Sequence, residues 1–170
     1  MYLKKIKSKS GFTIIEVLIV LATAGLILVI IFIAVPVLQK NSRNNRRRND
    51  LGRFYTAVEE YRLERNAAGT ALFTGPSDSA SFSDFKNNHL GPEFKVNYGN
   101  SNIIMADANT TPHTYKPNVD QIVYFAWHFC NEGSEHTSHS VASSSHEKHA
   151  FSVLIGMENN FYYCLDNGKG

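Results

Sequence analysis

Hydrophobic and polar positions divide this chain into unequal parts. From Val17 to Leu38 no side chain is charged and only Thr23 is polar. A helix of these 22 residues would reach about 33 Å, enough to cross the hydrocarbon of a bilayer. After Pro36 the pattern changes to one apolar face, with Leu51, Phe54, Val58 and Tyr61 at steps of three and four. Glu59, Glu60, Arg62, Glu64 and Arg65 fall largely off that face, and Asn66-Ala67-Ala68-Gly69 supplies a stop, with Gly69 suited to a C-terminal cap. The pattern predicts one helix of about fifty residues from Phe12 to Arg65, half in a bilayer and half packed on a globular head.

Beyond residue 69 the pattern is shorter in wavelength. Ser77 to Ser83 reads as turn, and Phe82, Phe85, Leu90 and Phe94 as a short helix or turn packed on the head. Phe94–Tyr98 and Ile103–Met105 read as strands of a hairpin around Gly99-Asn100-Ser101-Asn102. Gln121–Phe129 is aromatic and β-branched, with Val123, Phe125, Trp127 and Phe129 as the expected core face and Ile122, Tyr124, Ala126 and His128 opposite. Ala150–Ile155 and Asn160–Leu165 flank Gly156-Met157-Glu158-Asn159 as a second hairpin. The expected fold class is α+β, a long N-terminal helix on an antiparallel sheet.

Charge sharpens the division. Lys4, Lys5, Lys7 and Lys9 precede the apolar run; without residues 1–11 the count is 13 basic against 15 acidic residues. The body is therefore not a basic, nucleic-acid-coating protein. Lysines before the run favour a cytoplasmic N-terminus and an exported remainder. Ala22-Thr23-Ala24 fits a conventional signal-peptide cut, but cutting there would leave the apolar block from Gly25 to Leu38 at the new N-terminus.

Two details are unusual for a plain anchor. Glu16 is a carboxylate within the first turns of the run, where ionisable groups are costly. Before it stands Lys9-Ser10-Gly11-Phe12-Thr13-Ile14-Ile15-Glu16. A basic leader ending in Gly, then Phe, then Glu at the fifth position after that Gly, resembles the class III signal of type IV prepilins and pseudopilins. The resemblance implies cleavage after Gly11 by a prepilin peptidase and N-methylation of Phe12. It implies register between subunits through Glu16, whose carboxylate would meet a neighbouring N-terminal ammonium. It also implies local helix melting between Gly25 and Pro36 during assembly; Pro36 lies three residues later than the family's usual proline.

On this resemblance the chain divides into a cleaved leader (1–11), a transmembrane and assembly half-helix (12–38), an amphipathic half-helix (39–66) and a head (67–170). The implied function is a structural subunit of a surface filament serving adhesion, motility or DNA uptake. The alternative is a pseudopilin of a type II secretion or DNA-uptake machine. Implied partners are further pilin subunits as homo-oligomer, the peptidase, an assembly platform, and membrane lipid before assembly. Implied localisation is the cytoplasmic membrane as a single-pass precursor, then the cell surface.

Arg43, Arg46, Arg47 and Arg48 cluster just past the exported end of the run, against the usual charge bias. Three readings stand: pairing with acidic groups of neighbouring subunits, contact with outer-leaflet headgroups, or DNA phosphates. Cys130 and Cys164, the only cysteines, suit a disulfide in an exported domain, as the family's C-terminal disulfide also implies. His128, His136, His139, His146 and His149 crowd between them with Glu135 and Glu147, either as a solvated loop or as transition-metal ligands. Asn109-Thr110-Thr111 matches a glycosylation sequon. No phosphate loop or nucleophile–base pattern supports an enzyme, and no cofactor is expected.

Overall fold

A computed structural model describes residues 11–65, 72–73, 79–99, 101–106, 115–130, 135–136, 141–144 and 150–167. Its contacts group into two compact units, Met1–Asn41 and Ser42–Gly170. One helix, α1 (Ile14–Glu64), contributes to both.

In the first unit the apolar residues of α1 are exposed throughout, and α1 is the one helix among the described residues long and apolar enough to cross a membrane. The helix runs through Pro36. Proline has no amide hydrogen, so the carbonyl of Phe32 loses its usual donor there.

The second unit holds α2 (Ser79–Asn88), α3 (Pro92–Asn97) and strands β1 (Ile103–Met105), β2 (Ile122–Ala126), β3 (His128–Cys130), β4 (Glu135–His136), β5 (Val141–Ser144), β6 (Phe151–Gly156) and β7 (Tyr162–Asp166). Five strands form one sheet in the order β1-β2-β6-β7-β4, and β3 pairs with β5 separately. The architecture is α+β, as the pattern implied. The four residues on the expected apolar face of α1 are all buried: Leu51, Phe54, Val58 and Tyr61. They meet Phe73, Phe82, Phe85, Phe94, Ile122, Tyr124, Phe151, Val153 and Ile155 in one core. Phe54 lies edge-on to Phe85 at 5.6 Å, and Tyr55 stacks on Phe151 at 5.4 Å.

Four expectations need correcting. The sheet is mixed rather than antiparallel, because β1 pairs with β2 in parallel, Ile103 opposite Ile122. Its expected hairpin partner, Phe94–Tyr98, is helical instead. Pro92 opens α3 at its first turn, and Gly99 (φ 65°) closes it, donating its N–H to the Lys95 carbonyl at 3.1 Å. Burial follows the helical period: Phe94 and Tyr98 are inside, whereas Val96 is 84% exposed. With that partner gone, Ile103–Met105 reaches β2 by a long connection, as parallel pairing requires.

The faces of β2 are also exchanged. Ile122 and Tyr124 face the main core, while Val123 and Phe125 join Leu154 and Cys164 in a second cluster on the other side of the sheet. Tyr124 can face inward because its hydroxyl donates to the Leu72 carbonyl at 2.5 Å. Trp127 adopts φ 59°, ends β2 and breaks the alternation, so Trp127 and Phe129 do not extend either face. Finally, Ser79–Ser83 begins α2 rather than a turn, because Phe82 and Phe85 have a buried face to occupy.

The second expected hairpin forms: β6 and β7 pair antiparallel, Leu154 opposite Cys164. Their turn, a 3-10 segment over Glu158–Asn160, places Asn159 and Asn160 at φ 68° and 59°. Asparagine tolerates that left-handed backbone better than most residues. At the base of the turn, a Cβ on Gly156 would lie 2.0 Å from the Asn118 carbonyl oxygen. Glycine lets the Pro117–Gln121 segment close on β6, where Gly156 donates to the Gln121 carbonyl at 3.2 Å.

Candidate functional site

Two places carry the residues singled out by sequence. The first is the start of α1. Gly11, Phe12 and Thr13 precede the helix and are exposed, and a Cβ on Gly11 would meet nothing within 4 Å. The Gly11–Phe12 peptide is therefore open chain.

Glu16 is held locally. One of its carboxylate oxygens, Oε2, accepts from both the N–H and the hydroxyl of Thr13, each at 2.8 Å. In return the Glu16 N–H donates to Thr13 Oγ1 at 3.4 Å. This is a capping box: reciprocal bonds between residues three apart occupy donors that a helix start leaves open. Thr13-x-x-Glu16 before an apolar run is its sequence signature, a signal the reading of Glu16 as an assembly charge passed over. Gly25 lies within the exposed half of α1, where nothing would contact an added Cβ.

The second place is the basic cluster, where the partners are found within the chain. Arg43 donates from Nε to Glu158 Oε1 at 2.6 Å and from Nη2 to Oε2 at 3.1 Å. Arg47, almost fully buried, donates twice to Asp120, at 2.7 and 3.1 Å. Its Nη1 reaches Glu158 Oε1 at 3.2 Å and Asn44 Oδ1 at 2.9 Å. Arg46 donates to Asn97 and lies 3.8 Å from Asp50, whose Oδ2 accepts from the buried Tyr98 hydroxyl at 2.8 Å. The Arg48 guanidinium sits 5.7 Å from the Tyr163 ring centroid. A groove of about 310 Å³ lies between Arg43, Arg46, Arg47, Val96, Tyr98 and Asp120. The cluster thus ties helix α1 to the turns at Asp120 and Glu158. Neither pairing was legible in the sequence, because each partner is more than seventy residues away.

These bonds have electrostatic consequences. Burial, followed by the bond to Asp50, pushes the Tyr98 phenol up. Hydrogen bonds from Arg43, then Arg47, hold the Glu158 carboxyl down to about 2 from an ordinary 4.5. A carboxyl depressed on folding stabilises the fold above its unfolded value, and that contribution fades as pH falls. The denaturation midpoint should therefore fall between pH 4.5 and about 2, and Glu158→Gln should flatten that part of the curve. Equal slopes in both proteins would contradict the assignment.

Cys130 and Cys164 form a disulfide with their Cα atoms 5.9 Å apart, joining β3 to β7. Beside it the Cys130 N–H donates to Asp166 Oδ2 at 2.6 Å. His128 Nδ1 lies 2.5 Å from the Ala126 carbonyl oxygen. The side chains of Glu135 and His136, and residues His139, His146, Glu147, His149 and Asn109–Thr111, lie outside the described residues. Among the described residues no group of three His, Cys, Asp or Glu side chains is gathered for a metal.

No protein-family model, no curated protein and no solved structure matches this chain.

Proposed function

We propose that the chain is a type IV pilin-like prepilin, cleaved after Gly11, methylated on Phe12 and polymerised through α1 into a surface filament. One observation carries most of the weight. An open Gly11–Phe12 peptide leads directly into a capped helix whose first turn bears Glu16 and whose next 22 residues are uncharged, apolar but for Thr23, and exposed. Such a surface needs lipid before assembly and other helices after it. A carboxylate at its start needs a cation once it leaves the headgroup region, and a freed N-terminal ammonium of another subunit supplies one. The α+β head on the same helix, closed by a disulfide, suits life outside the reducing cytoplasm.

In this reading a peptidase and an assembly platform act on a single-pass precursor, and adhesion, motility or DNA uptake is the outcome. DNA binding gains little from the arginines, since Arg43 and Arg47 spend their donors on Glu158 and Asp120. A pseudopilin would share the whole N-terminal arrangement. The disulfide-closed C-terminal region leans toward a pilus subunit.

Co-expression with a prepilin peptidase provides the test. The full chain should shorten by its first eleven residues, and replacing Gly11 with leucine should leave it at full length. A chain that the peptidase leaves intact, or one cut near Ala24, would refute the reading.

A further inference from the structure

Residues 42–50 of α1 read Ser-Arg-Asn-Asn-Arg-Arg-Arg-Asn-Asp, nine polar residues in succession. Apolar packing of α1 into the head begins only at Leu51 and continues through Phe54, Val58 and Tyr61. The nine-residue stretch is attached differently. Arg43 and Arg47 clasp Glu158 and Asp120, Asn44 accepts from the Glu158 N–H at 3.3 Å, Arg46 meets Asn97, Asp50 meets Tyr98, and Arg48 covers Tyr163.

The two modes of attachment respond differently to being broken. Pulling Leu51–Tyr61 from the core would expose several large apolar side chains to water. Releasing 42–50 exposes mainly groups that water solvates well, the buried Arg47 and Asp50 among them, and exposed ion pairs such as Arg43–Glu158 are screened by salt. Asparagine and aspartate are also poor interior helix formers, so a released stretch has little reason to stay rigid.

We propose that residues 42–50 are a polar joint, a stretch that releases from the head while Leu51–Tyr61 stay packed, so that the head can reorient on its membrane anchor. The joint lies where the two compact units divide. It rests on Val17–Leu38 being membrane-embedded, and not on polymerisation.

Paired nitroxide labels on the full chain in detergent micelles test it. One pair, Ser42→Cys with Ser83→Cys, spans the joint and α2. The other, Thr56→Cys with Ser83→Cys, reports the packed part of α1 as a control. In low salt both distance distributions should be narrow. With Arg43→Gln and Arg47→Met together, or with Glu158→Gln in about 0.5 M NaCl, where the screening length falls to about 4 Å, the first should broaden at least about twofold. The second should keep its width. A first pair as narrow as the second in every condition would overturn the joint. Broadening of both pairs together would overturn it too, because the head would then be opening as a whole. Either result leaves cleavage and filament formation, measured separately, untouched.

Discussion

Replacing Glu16 with alanine is expected to lower the yield of filament sheared from cells by about two orders of magnitude, with precursor levels unchanged. Breaking an ion pair in low dielectric by removing one partner costs about 3–5 kcal/mol, and 2.7 kcal/mol already corresponds to about a hundredfold. The capping box complicates that result, because Glu16 also accepts from the Thr13 N–H and hydroxyl. Loss of a cap alone costs about 1 kcal/mol. Glu16→Gln separates the two roles: glutamine retains an oxygen able to accept from Thr13 but carries no charge. If charge sets assembly, the glutamine variant should fail about as completely as the alanine variant. A glutamine variant that assembles normally would assign Glu16 to capping alone.

Removing the disulfide is expected to cost the head about 4 kcal/mol. Cys130 and Cys164 are 34 residues apart, and the loop-entropy account gives about that value for such a closure, reduced by any native strain. The bond also anchors β3 beside β7, where Val123, Phe125, Leu154 and Cys164 form the second apolar cluster. A Cys130→Ala/Cys164→Ala double variant should therefore shift the denaturation midpoint strongly, and reductant should do the same to the native chain. A change under about 1 kcal/mol would show that packing and β6–β7 pairing suffice without the crosslink.

The parts of the fold legible in the sequence were those governed by short-range periodicity. Leu51, Phe54, Val58 and Tyr61 announced the buried face of α1, and Gly156-Met157-Glu158-Asn159 announced the β6–β7 turn. Where two periods competed, local chemistry decided. Phe94-Lys95-Val96-Asn97-Tyr98 alternates like a strand, yet Phe94 and Tyr98 are equally four apart, and Pro92 with Gly99 fixed the helical choice. On β2 both faces are apolar, so alternation carried no direction; the inward face depended on Leu72 being in reach of the Tyr124 hydroxyl. The arginine cluster was visible as charge, but its partners Asp120 and Glu158 come from distant turns, which no local pattern records. The capping box was legible and lay hidden behind a second reading of the same glutamate.

The most direct measurement is the intact mass and N-terminal peptide of the protein sheared from the surface of cells that express it. The filament account predicts a chain beginning at Phe12 and carrying one added methyl group on its amine. A surface-released chain beginning at Met1 or Gly25 would contradict it and leave an anchored or secreted α+β domain.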